Sequence, residues 1–221
     1  MSYKINRENI GIWLNKIIMC VVSLFFLGVA AAFNMKAALG ADPITVFYEG
    51  LSSCLKLNIG WTINVLNFFL IIAVLFLDRK YINLGTIIYL ATLGPFVNLG
   101  ISIYNLCGFP EDFFSRLIVS LGGCVLAFFG ISLFIVAKIG IDPWTALAII
   151  TSEKLNKKFD IVKVVMDVLT LVVGILMGGK FGIITIICAV LGGPAIQKIS
   201  ELLDKVIQNM IKSMYKNQVK E

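Results

Sequence analysis

Six stretches of this 221-residue chain are apolar over roughly the length that crosses a bilayer: about 17–35, 60–77, 81–106, 115–137, 161–177 and 181–197. A spanning helix needs about 20 mostly apolar residues. In lipid, backbone polar groups must be satisfied within the protein. The expected fold is therefore an all-α polytopic membrane protein of about six transmembrane helices. The first stretch is too long, and its end too plain, for a cleaved signal peptide, so it is expected to be the first helix of the mature protein.

Composition narrows the function classes. Apolar residues make up 59% and charged residues 14% of the chain, against about 45–50% and about 25% in soluble domains. Soluble, disordered, collagen-like and coiled-coil classes are excluded on these figures. Histidine is absent, which removes histidine-based catalysis and histidine-ligated zinc or haem. The five cysteines form no Cys-x-x-Cys pair, so neither a metal site nor a disulfide framework is expected. No cofactor is expected.

The net charge of +6 is distributed as membrane orientation requires. With the N-terminus in the cytoplasm, 15 of the 19 lysines and arginines fall on the cytoplasmic side, leaving Lys36, Lys56, Arg116 and Lys180 on the other. The positive-inside rule then predicts a bacterial inner-membrane protein with both termini cytoplasmic. No nucleic-acid partner is implied. Residues 198–221 alternate apolar and lysine-rich faces at helical spacing and predict a basic amphipathic helix, lying on the inner leaflet or extending the sixth span.

The chain also resembles itself. Residues 37–55 and 137–155 agree at seven of 19 positions at an offset of 100, including Gly40/Gly140, Asp42/Asp142, Pro43/Pro143 and Thr45/Thr145. Residues 86–98 and 185–197 agree at five of 13 at an offset of 99, including Thr86/Thr185, Gly94/Gly193 and Pro95/Pro194. Four of the five prolines thus fall into two pairs, and the fifth, Pro110, lies between the halves. Two halves are expected, 1–106 and 113–197, each of three spans with a short re-entrant or interfacial segment (43–57 and 143–158). Three spans per half would invert the second copy, an arrangement that recurs in secondary transporters with the site between the halves; if the short segments span instead, each half has four spans and the copies run parallel.

Three constellations are candidates for function. In Gly-x-Asp-Pro, Asp42 and Asp142 are expected at N-caps, with proline at N1 and Thr45 and Thr145 at N3. Capping explains these residues; alternatively each helix start faces a cavity and attracts an anionic group, a field that the aspartate partly cancels, or the aspartate's own charge attracts a cation instead. Trp144 follows Pro143 in the second copy. In the Gly-Pro pairs, Pro95 and Pro194 cannot donate to the carbonyls four residues earlier. They predict either packing kinks, with Gly94 and Gly193 admitting a neighbouring backbone, or broken helices lining a path with Asn98 and Gln197. Asp167 lies within the fifth span, opposite Asn67 in the repeat; it is expected either to pair with Lys163 or to bind a proton or cation. Glu49 is a weaker candidate. No nucleophile–base pair, P-loop or paired catalytic carboxylates can be found, so an enzyme is not expected.

The stretches LGADPITVFYEGLS (39–52), LNIGWTINV (57–65) and LGTIIYLATLGPFVNLG (84–100) resemble the YczE/YyaS/YitT family of bacterial integral membrane proteins. The matching positions are Gly40, Asp42, Pro43, Thr45, Gly50, Leu51, Ser52, Ile59, Gly60, Gly85, Thr86, Gly94, Pro95 and Phe96. Ile44 departs from the family's tryptophan, which the second copy keeps as Trp144, and Asn58 and Trp61 depart in the Ile-Gly stretch. The match covers roughly residues 25–100, and the second half more weakly. The resemblance implies a bacterial inner-membrane protein with duplicated halves, and no particular activity. The leading expectation is a small secondary transporter or facilitator of a small solute. The alternatives are the substrate-capture subunit of a vitamin importer and a non-transporting interaction or regulatory protein. The expected partners are the lipid bilayer, a small solute and a further copy of the chain.

Overall fold

In a computed structural model, residues 7–110 and 112–218 are described, with side chains described from Gly11 to Ile207 apart from Ile12 and Glu111. Of the basic amphipathic helix expected over residues 198–221, the side chains of 208–221 thus lie outside the described ones. The described elements are helices: α1 (Arg7–Ala37), α2 (Pro43–Leu55), α3 (Ile59–Leu77), α4 (Leu84–Cys107), α5 (Phe113–Ala137), α6 (Pro143–Leu155), α7 (Phe159–Leu176) and α8 (Ile183–Gln218), with a single 3-10 turn at Arg79–Tyr81. Each of the six apolar stretches corresponds to one long helix, although α4 begins only at Leu84, α8 only at Ile183 and α7 ends at Leu176, and each short segment forms a 13-residue helix. At about 1.5 Å per residue, 13 residues reach only about 20 Å, well short of the roughly 30 Å hydrocarbon core.

Among the described residues, five helices are long and apolar enough to cross a membrane: Trp13–Ala37, α3, α4, α5 and Ile183–Ile207. The sixth, α7, has 18 residues and carries Asp160, Lys163 and Asp167. Large apolar side chains point outward along these helices, among them Phe69, Phe76, Ile118, Val164 and Val190. This exposure suits lipid as the outer solvent. The 198–218 segment continues α8 without interruption.

Local chemistry sets the helix ends. Asp42, Asp112 and Asp142 cap α2, α5 and α6, and Pro43 and Pro143 occupy the first turns, where their missing N–H is no loss. Lys56, Lys138 and Asn156 take left-handed conformations at C-caps.

The core is built on α1, which packs along both α4 and α5, while α8 packs along α5 and α3 along α4. Glycines permit the close crossings. A Cβ on Gly28 would meet Phe96 and Val97 of α4, and one on Gly130 would meet Ser23 and Leu27 of α1. The short helices cross between the halves: α2 lies mainly on α7, and α6 on both α3 and α7. Gly50 and Gly174 make the α2–α7 contact possible, each facing the other helix's backbone.

Two matching seams join the halves. The Gly85 N–H donates to the Ile139 carbonyl at 2.9 Å, and the Ile184 N–H donates to the Leu39 carbonyl at 3.1 Å. The turn after α1 thus docks on the start of α8, and the turn after α5 docks on the start of α4. Two ion pairs add to these seams. Lys180, between α7 and α8, pairs with Glu49 of α2 at 3.5 Å, and Lys80, between α3 and α4, pairs with Glu153 of α6 at 3.0 Å. The first pair holds α2 to the α7–α8 turn. The second holds α6 beside the turn that follows α3, at the far end of α3 from its connection to α2.

Candidate functional site

The two Asp-Pro turns form the expected caps. The Thr45 N–H donates to Asp42 at 3.3 Å, and the Thr145 N–H to Asp142 at 2.9 Å. Each carboxylate balances the positive end of a short helix. Neither makes an ion pair among the described residues, and both are half-buried.

Positions 67 and 167 each tie a span to the short helix before it. The Tyr48 hydroxyl donates to Asn67 Oδ1 at 3.2 Å, and the Asn67 amide donates to the Ile63 carbonyl at 2.9 Å. In the second half, Trp144 Nε1 donates to Asp167 at 3.1 Å, and Lys163 pairs with the same carboxylate at 2.5 Å. Trp144 stands where the first half has Ile44, so an indole N–H reaches the charged residue there.

These groups share one neighbourhood. Asp42 and Asp142 both lie within electrostatic reach of Tyr48 and Tyr89, and Lys163 lies within reach of Asp42. Side chains from α2, α4, α6 and α7, together with the two capping aspartates, are therefore near enough to act on one another electrostatically inside an apolar bundle. Three carboxylates and one ammonium leave the set net acidic and rich in acceptors, suited to a cation or a hydrogen-bond donor. Among the described residues no group of three or more His, Cys, Asp or Glu side chains is arranged to hold a metal.

The Gly-Pro positions behave differently in the two halves. Both α4 and α8 run unbroken through Pro95 and Pro194, so these prolines sit on continuous helices and both are exposed. Gly94 is a packing glycine: a Cβ there would strike Asn64 and the Gly60 carbonyl of α3, and its N–H donates to Asn64 Oδ1 at 3.1 Å. Asn98 lies against Gly60 in the same crossing. Gly193 faces open space, and Gln197 is exposed, donating to Glu201 at 3.1 Å. The residues on the facing helix explain the difference: α3 offers Gly60 and Asn64, whereas the positions of α7 at an offset of 100 are Asp160 and Val164. A side chain at position 160 closes the seat that Gly60 leaves open, and α7 leans on α2 and α6 instead.

Several participants were not singled out by sequence. Tyr48 and Tyr89 look like ordinary aromatic residues of apolar segments, and only the fold brings them to the carboxylates. Asn34 and Asn64 interrupt apolar runs as polar residues, a signal that was available. Glu49 and Lys180 line a cavity of about 220 Å³ with Lys36, Ser52 and Ser53, at the end of the bundle where α1 finishes.

Residues 14–201 match the profile of a family described as "Family of unknown function (DUF6198)". That match covers most of the chain, including every residue of the site. The chain belongs to the DUF6198 family. A Haemophilus influenzae relative called "Uncharacterized protein" is 26% identical over 178 residues, spanning 79% of this chain and 78% of its own. "Uncharacterized protein YyaS" of Bacillus subtilis is 24% identical over 173 residues, spanning 78% of this chain and 86% of its own. No solved structure matches. The resemblance found in the Asp-Pro and Gly-Pro motifs thus extends over both halves, and this DUF6198 member is an all-α integral membrane protein with bacterial relatives.

Proposed function

We propose that this chain is a small secondary transporter or facilitator for a small solute, built as an inverted duplication in the bacterial inner membrane with both termini cytoplasmic. The observation that carries the reading is a pair of capped short helices, each braced by the opposite half, whose half-buried capping carboxylates make no ion pair among the described residues and lie within electrostatic reach of the same two tyrosines. Broken or short helices whose ends face a shared site between repeats are the recurring architecture of such transporters. Intramembrane ionisable residues mark solute or ion paths by default.

The matched seams Gly85–Ile139 and Ile184–Leu39 support a two-fold relation between the halves. The ion pairs Glu49–Lys180 and Lys80–Glu153 support opposite orientation of the two short helices. The charge distribution supports cytoplasmic termini. The acidic balance of the site favours a cationic or hydrogen-bond-donating solute. The chain performs no covalent chemistry in this account. A homo-oligomer suits so small a bundle.

The test is reconstitution of the full chain into liposomes exposed to a defined mixture of small solutes, with internal contents read by mass spectrometry. The account predicts that at least one solute accumulates or equilibrates through the wild type, and that Asp142→Asn or Asp167→Asn slows it at least about tenfold, the loss of about 1.4 kcal/mol from one charged interaction. Equal permeation through wild type, both variants and empty liposomes contradicts it.

A further inference from the structure

We infer that the junction of α1, α5 and α8 beside Asp42 is a binding site for a monovalent cation of the size of Na⁺. Three oxygens there have no hydrogen-bond partner among the described residues although fully enclosed: Asn34 Oδ1, Ser120 Oγ and Thr185 Oγ1. Their residues are 2%, 0% and 1% exposed. Leaving such groups unsatisfied costs about 1–3 kcal/mol each, and an unpaired buried polar group calls for a ligand or water.

Their placement draws them to one junction. Asn34 Oδ1 of α1 lies against Gly123 of α5. Cys124, the next residue of α5, touches Cys188 of α8, the sulfurs 3.6 Å apart. Ser120 and Thr185 lie about one turn from those cysteines, toward the starts of two helices that run side by side in the same direction. Thr185 Oγ1 is also against Gly40, two residues before Asp42. The Asp42 carboxylate lies within electrostatic reach of both Cys124 and Cys188. It makes no ion pair among the described residues, and the Lys163 ammonium within its reach is already paired with Asp167.

The repeat supplies an internal control. The counterparts of Asn34 and Cys188 are Phe134 and Tyr89, two buried rings whose centroids are 6.0 Å apart. The counterpart of Thr185 is Thr86, whose hydroxyl donates to the Ile141 carbonyl at 2.8 Å. One half therefore carries two aromatic rings and a satisfied threonine at these positions. The other lines the junction with small polar groups whose oxygens are unspent.

The donor set selects the ion. Neutral oxygens with a single carboxylate suit a hard monovalent cation, whereas Ca²⁺ sites gather several carboxylates. Close crossings at Gly40 and Gly123 favour a small ion over K⁺, whose filters use rings of carbonyls. Arg116, one turn beyond Ser120, is committed to the carbonyls of Ala37 and Ala38 at 2.6 and 3.1 Å, closing the outer end. The role of coupling ion rests on the transporter reading; the binding itself does not.

The test is thermal unfolding of the purified full chain in detergent, in NaCl, KCl or choline chloride at equal ionic strength. A ligand bound only by the folded state raises Tm with its concentration. Na⁺ is expected to raise Tm saturably above both other salts, and radioactive Na⁺ to bind the wild type directly. Asp42→Asn and Asn34→Leu lose both signals. Thr185→Val, which keeps the side-chain shape, weakens Na⁺ affinity about tenfold, and Asp160→Asn, on the exposed start of α7, leaves it unchanged. Equal Tm in all three salts with no bound Na⁺, or full retention of binding by Asp42→Asn, overturns the inference. Either failure leaves the solute-uptake test standing on its own.

Discussion

The N–H of Gly85 donates to the carbonyl of Ile139 at 2.9 Å, joining the start of α4 to the turn that follows α5. Its counterpart, Ile184 to Leu39, joins the other two corresponding elements. Gly140 lies directly against Gly85 at this seam, where a Cβ would come within 2.7 Å of the Gly85 Cα and the Thr86 nitrogen. Two turns and two helix starts are thereby held backbone to backbone, and the short helices project from these fixed points.

Gly140→Ala is expected to lower stability by about 1–3 kcal/mol, the usual cost of overpacking a close contact. Gly122, with nothing within 4 Å of an added Cβ, serves as the control, and Gly122→Ala is expected to stay within about 0.5 kcal/mol. Denaturation of the purified variants in detergent measures both.

The asymmetry between α3–α4 and α7–α8 predicts a second contrast. Gly94→Ala drives a methyl group into Asn64 and Gly60 and is expected to cost about 1–3 kcal/mol. Gly193→Ala, at the same place in the repeat, meets open space and is expected to be neutral. Equal effects would show that α7 seats on α8 as α3 does on α4.

The Lys163–Asp167 pair is about a quarter exposed on each side. Its contribution is expected to fall between the roughly 0–1 kcal/mol of surface pairs and the roughly 3–5 kcal/mol lost on breaking a buried one. Asp167→Asn removes the charge partner and is expected to cost about 1–3 kcal/mol. Lys163→Met combined with Asp167→Leu is expected to cost less than the sum of the single changes. Unfolding of all four proteins closes the cycle, and strict additivity would mean that the two side chains do not interact.

The network at the 78–81 turn is sensitive to acid. Hydrogen bonds from Tyr81, then Lys80, hold the Glu153 carboxyl below the usual range, and those from Lys80 do the same for Asp78. A depressed carboxylate contributes its full stabilisation above its unfolded value, about 4 for these residues, and loses it as pH falls through the folded value. The tie between α6 and the α3–α4 turn is therefore expected to weaken below about pH 4 and to be unchanged from pH 6 to 8. Because these groups are exposed, salt reduces the effect. Glu153→Gln is expected to flatten the acid side of the Tm–pH curve and leave the neutral side nearly unchanged.

Much of this fold is legible in the sequence because lipid permits few alternatives. Each apolar run becomes one helix, and the Asp-Pro caps of α2 and α6 fall at the residues that cap chemistry dictates. Lys163 pairs with Asp167, as i, i+4 spacing allows. What pattern reading missed depends on long-range packing. Nothing local to Tyr48 or Tyr89 reveals that two distant carboxylates approach them. The Gly-Pro pairs look equivalent in sequence, yet only Gly94 receives a neighbouring helix, because the decisive difference is Gly60 against Asp160 on another element. Pro95 and Pro194 do not break their helices, so neither opens a path by itself.

An inverted duplication would place the turns that follow α2 and α6 on opposite faces of the membrane. Single cysteines replacing Lys56 and Lys157, in the exposed turns that follow α2 and α6, report this in a cysteine-free background. A membrane-impermeant thiol reagent is applied to intact cells and, separately, to opened ones. With the inverted arrangement, position 56 is expected to label in intact cells and position 157 only after the cells are opened. Labelling of both positions from the same side would contradict it.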